Sequence, residues 1–274
     1  MTLSAEYPER IVCLTEETTE TLYLLEEDRR IVGISGFTVR PPRARREKPK
    51  VSAFTSARID RIRELHPDLV LAFSDLQADI AAELVRAGIE VHVFNHRSIA
   101  EVLRMVRMLG AMIGCEAKAR ALAARLDAGL AGVRARAAGL RRRPRVYFEE
   151  WDEPLISGIR WVSELIGVAG GDDCFPELAG RSLGRDRIIA DPLEVTRRAP
   201  DIILGSWCGK KFRPERVRAR PGWEQVPAVR DDYLREIKSS LILQPGPAAL
   251  TDGVQAIQEV ILEWGEAKGV LEHQ

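Results

Sequence analysis

HPDLVLAFSD (66–75) decides the reading of this chain, because it returns later as APDIILGSWC (199–208). Each copy carries a Pro-Asp pair, four strand-type residues and an aromatic close to the strand's end. A helical stretch precedes each one, DRIRELH in the first and LEVTRRA in the second. Proline cannot continue a helix and biases its predecessor away from helical backbone, so the pair marks a helix stop and a strand start. The apolar runs that follow do not alternate with polar residues, as expected of strands buried on both faces of a parallel sheet. Two copies at matching places predict two lobes of similar construction.

Outward from the first copy, RIVCL (10–14), RIVGIS (30–35) and EVHVFN (90–95) read as further strands. Helical periods in TTETLYLL (18–25), ARIDRIREL (57–65) and QADIAAELVRAG (77–88) lie between the strands. Alternation of this kind builds a three-layer α/β unit. The pattern changes at SIAEVLRMVRMLGAMIG (98–114), and the Ala/Leu/Arg-rich stretch 116–143, free of internal proline, predicts one continuous helix. After Pro144 the alternation resumes with RVYFEE (145–150), a helix over 161–171, DIILGSW (201–207), YLREIK (233–238) and a last helix over 248–267. The expected fold is α/β: two three-layer α/β/α lobes, residues 1–113 and 144–274, joined by one long helix over 114–143, with a ligand cleft between the lobes.

Composition excludes several function classes. The 41 basic and 41 acidic residues cancel, so no net field calls for nucleic acid or an anionic membrane as partner. RPPRARREKPK (40–50) reads as a basic surface loop, with a dock for an anionic partner as the alternative. Cys13, Cys115, Cys174 and Cys208 are widely spaced, with no C-x-x-C and no zinc-like Cys/His grouping, and His273 lies in the tail, so a bare metal-ion site is not expected. No phosphate-binding glycine motif occurs. The first residues lack a signal-peptide apolar core, and no apolar run approaches the ~18 residues of a membrane helix. The expectation is a cytoplasmic protein without membrane insertion, periplasmic if the chain is a mature or truncated form.

Ligands of open parallel sheets bind just beyond the carboxyl ends of the strands. Thr15 and Glu16, Phe37, Phe73 and Ser74, Glu149 and Trp151, and Trp207, Cys208 and Lys210 all fall at such ends, and Phe54 and Trp161 join them as candidate ligand contacts. If the lobes face each other, these residues point into one cleft. Aromatics with few catalytic side chains suit a large, flat or apolar ligand. Other readings stay open. Glu149 and Glu150 resemble a carboxylate pair for acid–base work. Lys210, Lys211 and Arg213 can neutralise a ligand's anionic edge or form a solvated loop. Cys208 is a small apolar group or a thiolate favoured by the lysines. His96 reads as a capping or surface histidine, with the cleft mouth as alternative.

YFEEWDEPLISGIRWVSELIGVAGG (147–171), the two Pro-Asp strands, the lobe–helix–lobe order and LQPGPAALTDGV (243–254) resemble the cobalamin and ferric-siderophore binding proteins of bacterial ABC uptake systems, the vitamin B12-binding branch more closely. The resemblance runs from about Arg10 to Ile261. It implies a class III substrate-binding-protein-like fold with a stiff connector and a corrinoid held edge-on. It puts Phe73 where family members carry a ligand-lining aromatic, and Trp151 and Trp161 in the matching motif of the second lobe. It also implies an ABC permease that docks on one acidic residue per lobe: Asp79 in the first, while in the second the place falls on Leu193 with Glu194 adjacent. The expected function is non-enzymatic binding of cobalamin, another corrinoid or a related metal-chelate macrocycle, with no catalytic cofactor, for uptake or intracellular cofactor handling. A ferric-siderophore or haem binder, and a metallocofactor enzyme or chelatase, remain the alternatives.

Overall fold

The computed structural model describes residues 6–272. The chain divides into two compact units, one running up to His96 and including Ala100–Leu126, the other comprising Arg97–Ile99 and the chain from Asp127 onward.

The first unit contains β1 (Ile11–Cys13), α1 (Glu16–Leu24), β2 (Ile31–Ser35), α2 (Pro42–Glu47), β3 (Lys50–Ser52), α3 (Ile59–Glu64), β4 (Leu69–Phe73), α4 (Ala78–Arg86) and β5 (Val91–Phe94). Helix α5 (Ile99–Met112) follows, and α6 (Glu116–Ala137) carries the division between the units. All five strands pair in parallel, in the order β3-β2-β1-β4-β5. Val12, Leu14, Val70 and Ala72 pack with Ile62, Ile80 and Leu84 of α3 and α4 to form a core on one face of this sheet.

The second unit contains β6 (Arg145–Asp152), β7 (Leu155–Ser157), α7 (Arg160–Ala169), β8 (Asp172–Asp173), α8 (Pro176–Ala179), α9 (Leu193–Arg198), β9 (Ile202–Gly205), α10 (Pro214–Arg218), α11 (Pro227–Arg230), β10 (Leu234–Glu236), α12 (Ser239–Ile242) and α13 (Val254–Ala267). Its sheet runs β10-β9-β6-β7, with β8 paired to the start of β6 and β7 antiparallel. The core is aromatic: Tyr147 meets Phe175 edge-on at 5.5 Å and Trp223 at 6.2 Å.

The repeated Pro-Asp has one structural job in both units. His66 (φ 45°) and Ala199 (φ 44°) take the left-handed conformation that ends α3 and α9, immediately before each proline. The aspartate then ties two parallel strands together at their amino ends. Asp68 accepts from the Glu9 and Arg10 N–H groups at 2.7 and 2.9 Å, and its own N–H donates to the Arg10 carbonyl at 3.0 Å. Asp201 accepts from the Arg145 N–H at 2.9 Å, donates to the Arg145 carbonyl at 2.8 Å, and takes the Arg142 guanidinium at 3.0 Å. The next residues set the register, Ile11 opposite Leu69 and Val146 opposite Ile202.

Three expectations are corrected. The helix expected to 143 stops at Ala137, because Gly139 and Arg141 exchange backbone hydrogen bonds with Glu272 and Val270 and leave the helical path. The basic loop 40–50 contains α2, started by Pro42 at its first turn, and its end opens β3 at Lys50. The last helix opens with a wide turn over Ala249–Gly253, where Gly253 lies so close to the Leu241 carbonyl that a Cβ would sit 2.4 Å from it.

Asp201→Ala leaves the Arg145 N–H without its acceptor at a site only 7% exposed, a loss of about 2–3 kcal/mol. Thermal unfolding followed by circular dichroism should show a fall of several degrees for Asp201→Ala and a smaller one for Asp201→Asn, which keeps one acceptor oxygen.

Candidate functional site

In the first unit the strand order turns round between β1 and β4, the place where open parallel sheets collect ligand-contacting loops. Thr15 and Glu16 follow β1 there, and Phe73 and Ser74 close β4. Ser74 sits at φ 64°, a strained conformation for a residue with a side chain, held by its N–H to the Phe94 carbonyl at 2.7 Å and by its Oγ accepting from the Leu76 N–H. Gln77, which the sequence did not single out, is fully buried beside it. Its Oε1 accepts from the Phe73 N–H at 3.0 Å while its Nε2 donates to the Phe54 carbonyl at 2.8 Å and towards the Leu14 carbonyl at 3.5 Å. One amide thus binds the ends of β1 and β4 to the Phe54 loop. Phe37 is 57% exposed and Phe54 half-buried, whereas Phe73 is buried, with His96 edge-on to it at 5.0 Å. The expectation of a surface histidine is therefore corrected: His96 is 2% exposed.

The first turn of α1 carries buried acids. The Val39 N–H donates to Glu16 at 2.6 Å, and the Thr15 hydroxyl donates to Glu17. Burial pushes both carboxyls up from their ordinary 4.5 to about 7, more than these bonds hold them down. The helix dipole favours negative charge at this end, but here burial outweighs it.

In the second unit, Glu149 and Glu150 do not form a carboxylate pair. Neighbouring strand residues point to opposite faces, and each meets its own arginine. Arg187 binds Glu150 through two bonds of 2.6 and 2.9 Å, and Arg220 grips both oxygens of the fully buried Glu149. Glu149 also accepts the Trp207 indole N–H at 2.9 Å. Trp207 is 2% exposed and edge-on to Phe212 at 5.0 Å; Trp161 is 4% exposed and donates its N–H to the Ile242 carbonyl. Glu149, Trp161 and Trp207 are thus occupied inside the unit. Half-buried Trp151 carries Lys210 over its ring at 4.0 Å, and that ammonium also pairs with Asp152, which Arg216 reaches at 2.9 Å.

The structure brings the expected docking acids no closer in character. Asp79 is exposed in the first turn of α4. Glu194 is held by Arg197 at 2.7 Å and Arg198 at 2.9 Å, so it is not presented as an open carboxylate, while Leu193 beside it is 46% exposed. None of the four cysteines is in a disulfide; burial pushes Cys13 and Cys174 up to about 12, and Cys208 is exposed. Among the described residues, no three His, Cys, Asp or Glu side chains are placed to hold a metal ion, and no helix is long and apolar enough to cross a membrane. His273 lies outside the described residues.

Two measurements check this geometry. Gln77→Leu orphans the Phe73 N–H and the Phe54 carbonyl inside the unit and should cost about 2 kcal/mol or more in chemical denaturation. For Glu17 the folded state holds the carboxyl above its unfolded value of 4.5, so protonation favours the fold below about 4.5 and that stabilisation is lost as pH rises to about 7. Glu17→Gln should therefore raise the melting temperature at pH 8 and leave it nearly unchanged at pH 4.5.

The fold is that of known proteins. Residues 11–241 match the family described as "Periplasmic binding protein". The chain is 25% identical over 263 residues to the "Uncharacterized ABC transporter substrate-binding lipoprotein YvrC" of Bacillus subtilis, covering 93% of this chain and 80% of that one. It is 23% identical to the "Vitamin B12-binding protein" of Vibrio parahaemolyticus, covering 91% and 88% of the two chains. The solved structure of the periplasmic heme-binding protein RhuT from Roseiflexus sp. RS-1 superposes with a TM-score of 0.77 at 23% identity, covering 92% of this chain and 99% of that one. With more than half its length matched to the family, and with both Pro-Asp strands inside the match, this chain belongs to the periplasmic binding proteins, a family of substrate-binding proteins that are not enzymes.

Proposed function

We propose that the chain binds a corrinoid of the cobalamin type, or a related metal-chelate macrocycle such as haem or a ferric siderophore, and delivers it to an ABC permease. The observation that carries this reading is the set of aromatic rings available at the carboxyl ends of the strands: Phe37, 57% exposed, and Phe54 in the first unit, Trp151 in the second. A flat macrocycle gains wide contact from such rings at little entropic cost. The named ligands of the relatives, vitamin B12 and heme, are both metal-holding macrocycles. In this reading the metal arrives already chelated. Thr15, Glu16, Ser74, Cys208 and Lys210 follow the carboxyl ends of β1, β4 and β9 and are proposed to frame the ligand's edge. Phe73 and Trp207, being buried, are left out of the proposed contacts, and Asp79 is proposed as the docking acid of the first unit. A metallocofactor enzyme or chelatase is set aside because the family binds and does not catalyse.

Isothermal titration with cyanocobalamin, dicyanocobinamide and haemin tests the proposal, with micromolar or tighter affinity expected for at least one and no heat from any of them overturning it. Trp151→Ala should weaken that binding by about one to two decades, by analogy with base–aromatic stacks, with a melting temperature within a few degrees of wild type. Unchanged affinity removes Trp151 from the contact set. Fractionation of the native organism tests delivery separately: recovery in the cytoplasm would leave binding standing and overturn the permease role.

A further inference from the structure

Seven of the 41 basic residues are lysines, and three of those seven line one depression. It lies at the carboxyl ends of β9 and β10, has a volume of about 340 Å³, and is lined by Lys210, Lys211, Lys238, Ser239, Ser240 and Trp207 among others. Several arginines of the second unit are matched to carboxylates: Arg187 to Glu150, Arg197 and Arg198 to Glu194, Arg220 to Glu149, Arg235 to Glu263. Lys210 is matched as well, to Asp152. Lys211 and Lys238 are exposed, and among the described residues no carboxylate lies within ion-pair distance of either. One acid, Glu236, shares the wall; its Oε1 accepts the Phe212 N–H at 3.1 Å, and the three lysines outnumber it. Arg213, which the sequence grouped with these lysines, turns to Glu215 at 3.9 Å.

Two ammonium groups without ion pairs, lining one concave surface, favour counter-anions there. Lysine is a compact, freely rotating point charge, suited to an oxyanion whose exact angle is not fixed, and two serine hydroxyls add neutral donors at the same wall. We propose that this depression is an oxyanion subsite, in which Lys211 and Lys238, with Ser239 and Ser240, receive a carboxylate or phosphate on the ligand. The ligand's identity as a macrocycle rests on the proposed function; the anion subsite does not.

The test uses ligand pairs that differ in the anionic group. Wild type and the Lys211→Ala/Lys238→Ala variant are titrated with haemin against haemin dimethyl ester, and with cyanocobalamin against dicyanocobinamide, which lacks the phosphate. The expected result is a loss of tenfold or more in the variant for the anion-bearing member of one pair and none for its counterpart; the haemin pair identifies a carboxylate, the cobalamin pair a phosphodiester. Equal affinity of variant and wild type for the anion-bearing ligands, or equal losses for both members of a pair, overturns the subsite while macrocycle binding stands. If wild type binds no macrocycle, the proposed function falls and sodium pyrophosphate alone decides. A saturable change in tryptophan fluorescence that the variant lacks supports the subsite, and no saturable change in wild type overturns it.

Discussion

Asp68 and Asp201 hold the amino ends of two parallel strand pairs, and the rest of each unit is arranged from those two points. A parallel pair has no hairpin to set its register, so something must define which residues face each other. Here the aspartate does so by accepting the neighbouring strand's first N–H and returning its own. With Ile11 fixed opposite Leu69 and Val146 opposite Ile202, the carboxyl ends of the same strands are fixed as well. Thr15 then arrives beside Phe73 and Ser74, and Trp207 arrives beside Glu149. The chemistry gathers at one end because the register is set at the other.

What holds the second unit's site together is a charge placed where charge is costly. Glu149 is fully buried, and a carboxylate without partners there would be strongly unfavourable. Arg220 grips both of its oxygens and stacks on Trp223 at 4.5 Å, and the Trp207 indole takes a remaining lone pair. Such a pair adds little net stability over an apolar replacement, while removal of one partner is severe. It fixes Trp207 in one orientation, and Trp207 in turn is one of the residues lining the lysine-rich depression. The first unit does the same with a neutral group, the Gln77 amide, at the end of β4.

Much of the fold was legible because it is written in local chemistry. The Pro-Asp repeats, the apolar runs of β4 and β9 and the period of α4 and α7 all depend on near neighbours in sequence, and all lie where they were expected. The misreadings came from distant partners. Nothing between 138 and 143 announces that Gly139 and Arg141 will pair with Glu272 and Val270. At the strand ends side-chain direction was invisible: Glu149, Trp161 and Trp207 turned inward to Arg220, Ile242 and Phe212. Gln77 was missed because a glutamine in a helical stretch reads as surface. The signal available was its position, three residues after a strand end whose backbone needs partners. Lys238 was missed because it lies far from Lys210 in sequence and meets it only through the pairing of β9 with β10.

The thiols have a practical consequence. At neutral pH, Cys13 and Cys174, held near 12 by burial, carry almost no thiolate and no path for a reagent, and burial also holds half-buried Cys115 above its ordinary range. Cys208 is the exposed one, and it adjoins both Trp207 and Gly209 in the wall of the depression. Thiolate nucleophiles are selected by ionisation and access together. A maleimide dye added to the unaltered chain would therefore mark this single position first. The molecule thus supplies its own attachment point for a fluorescent reporter, beside the lysine-lined depression, with no engineered substitution to disturb the fold.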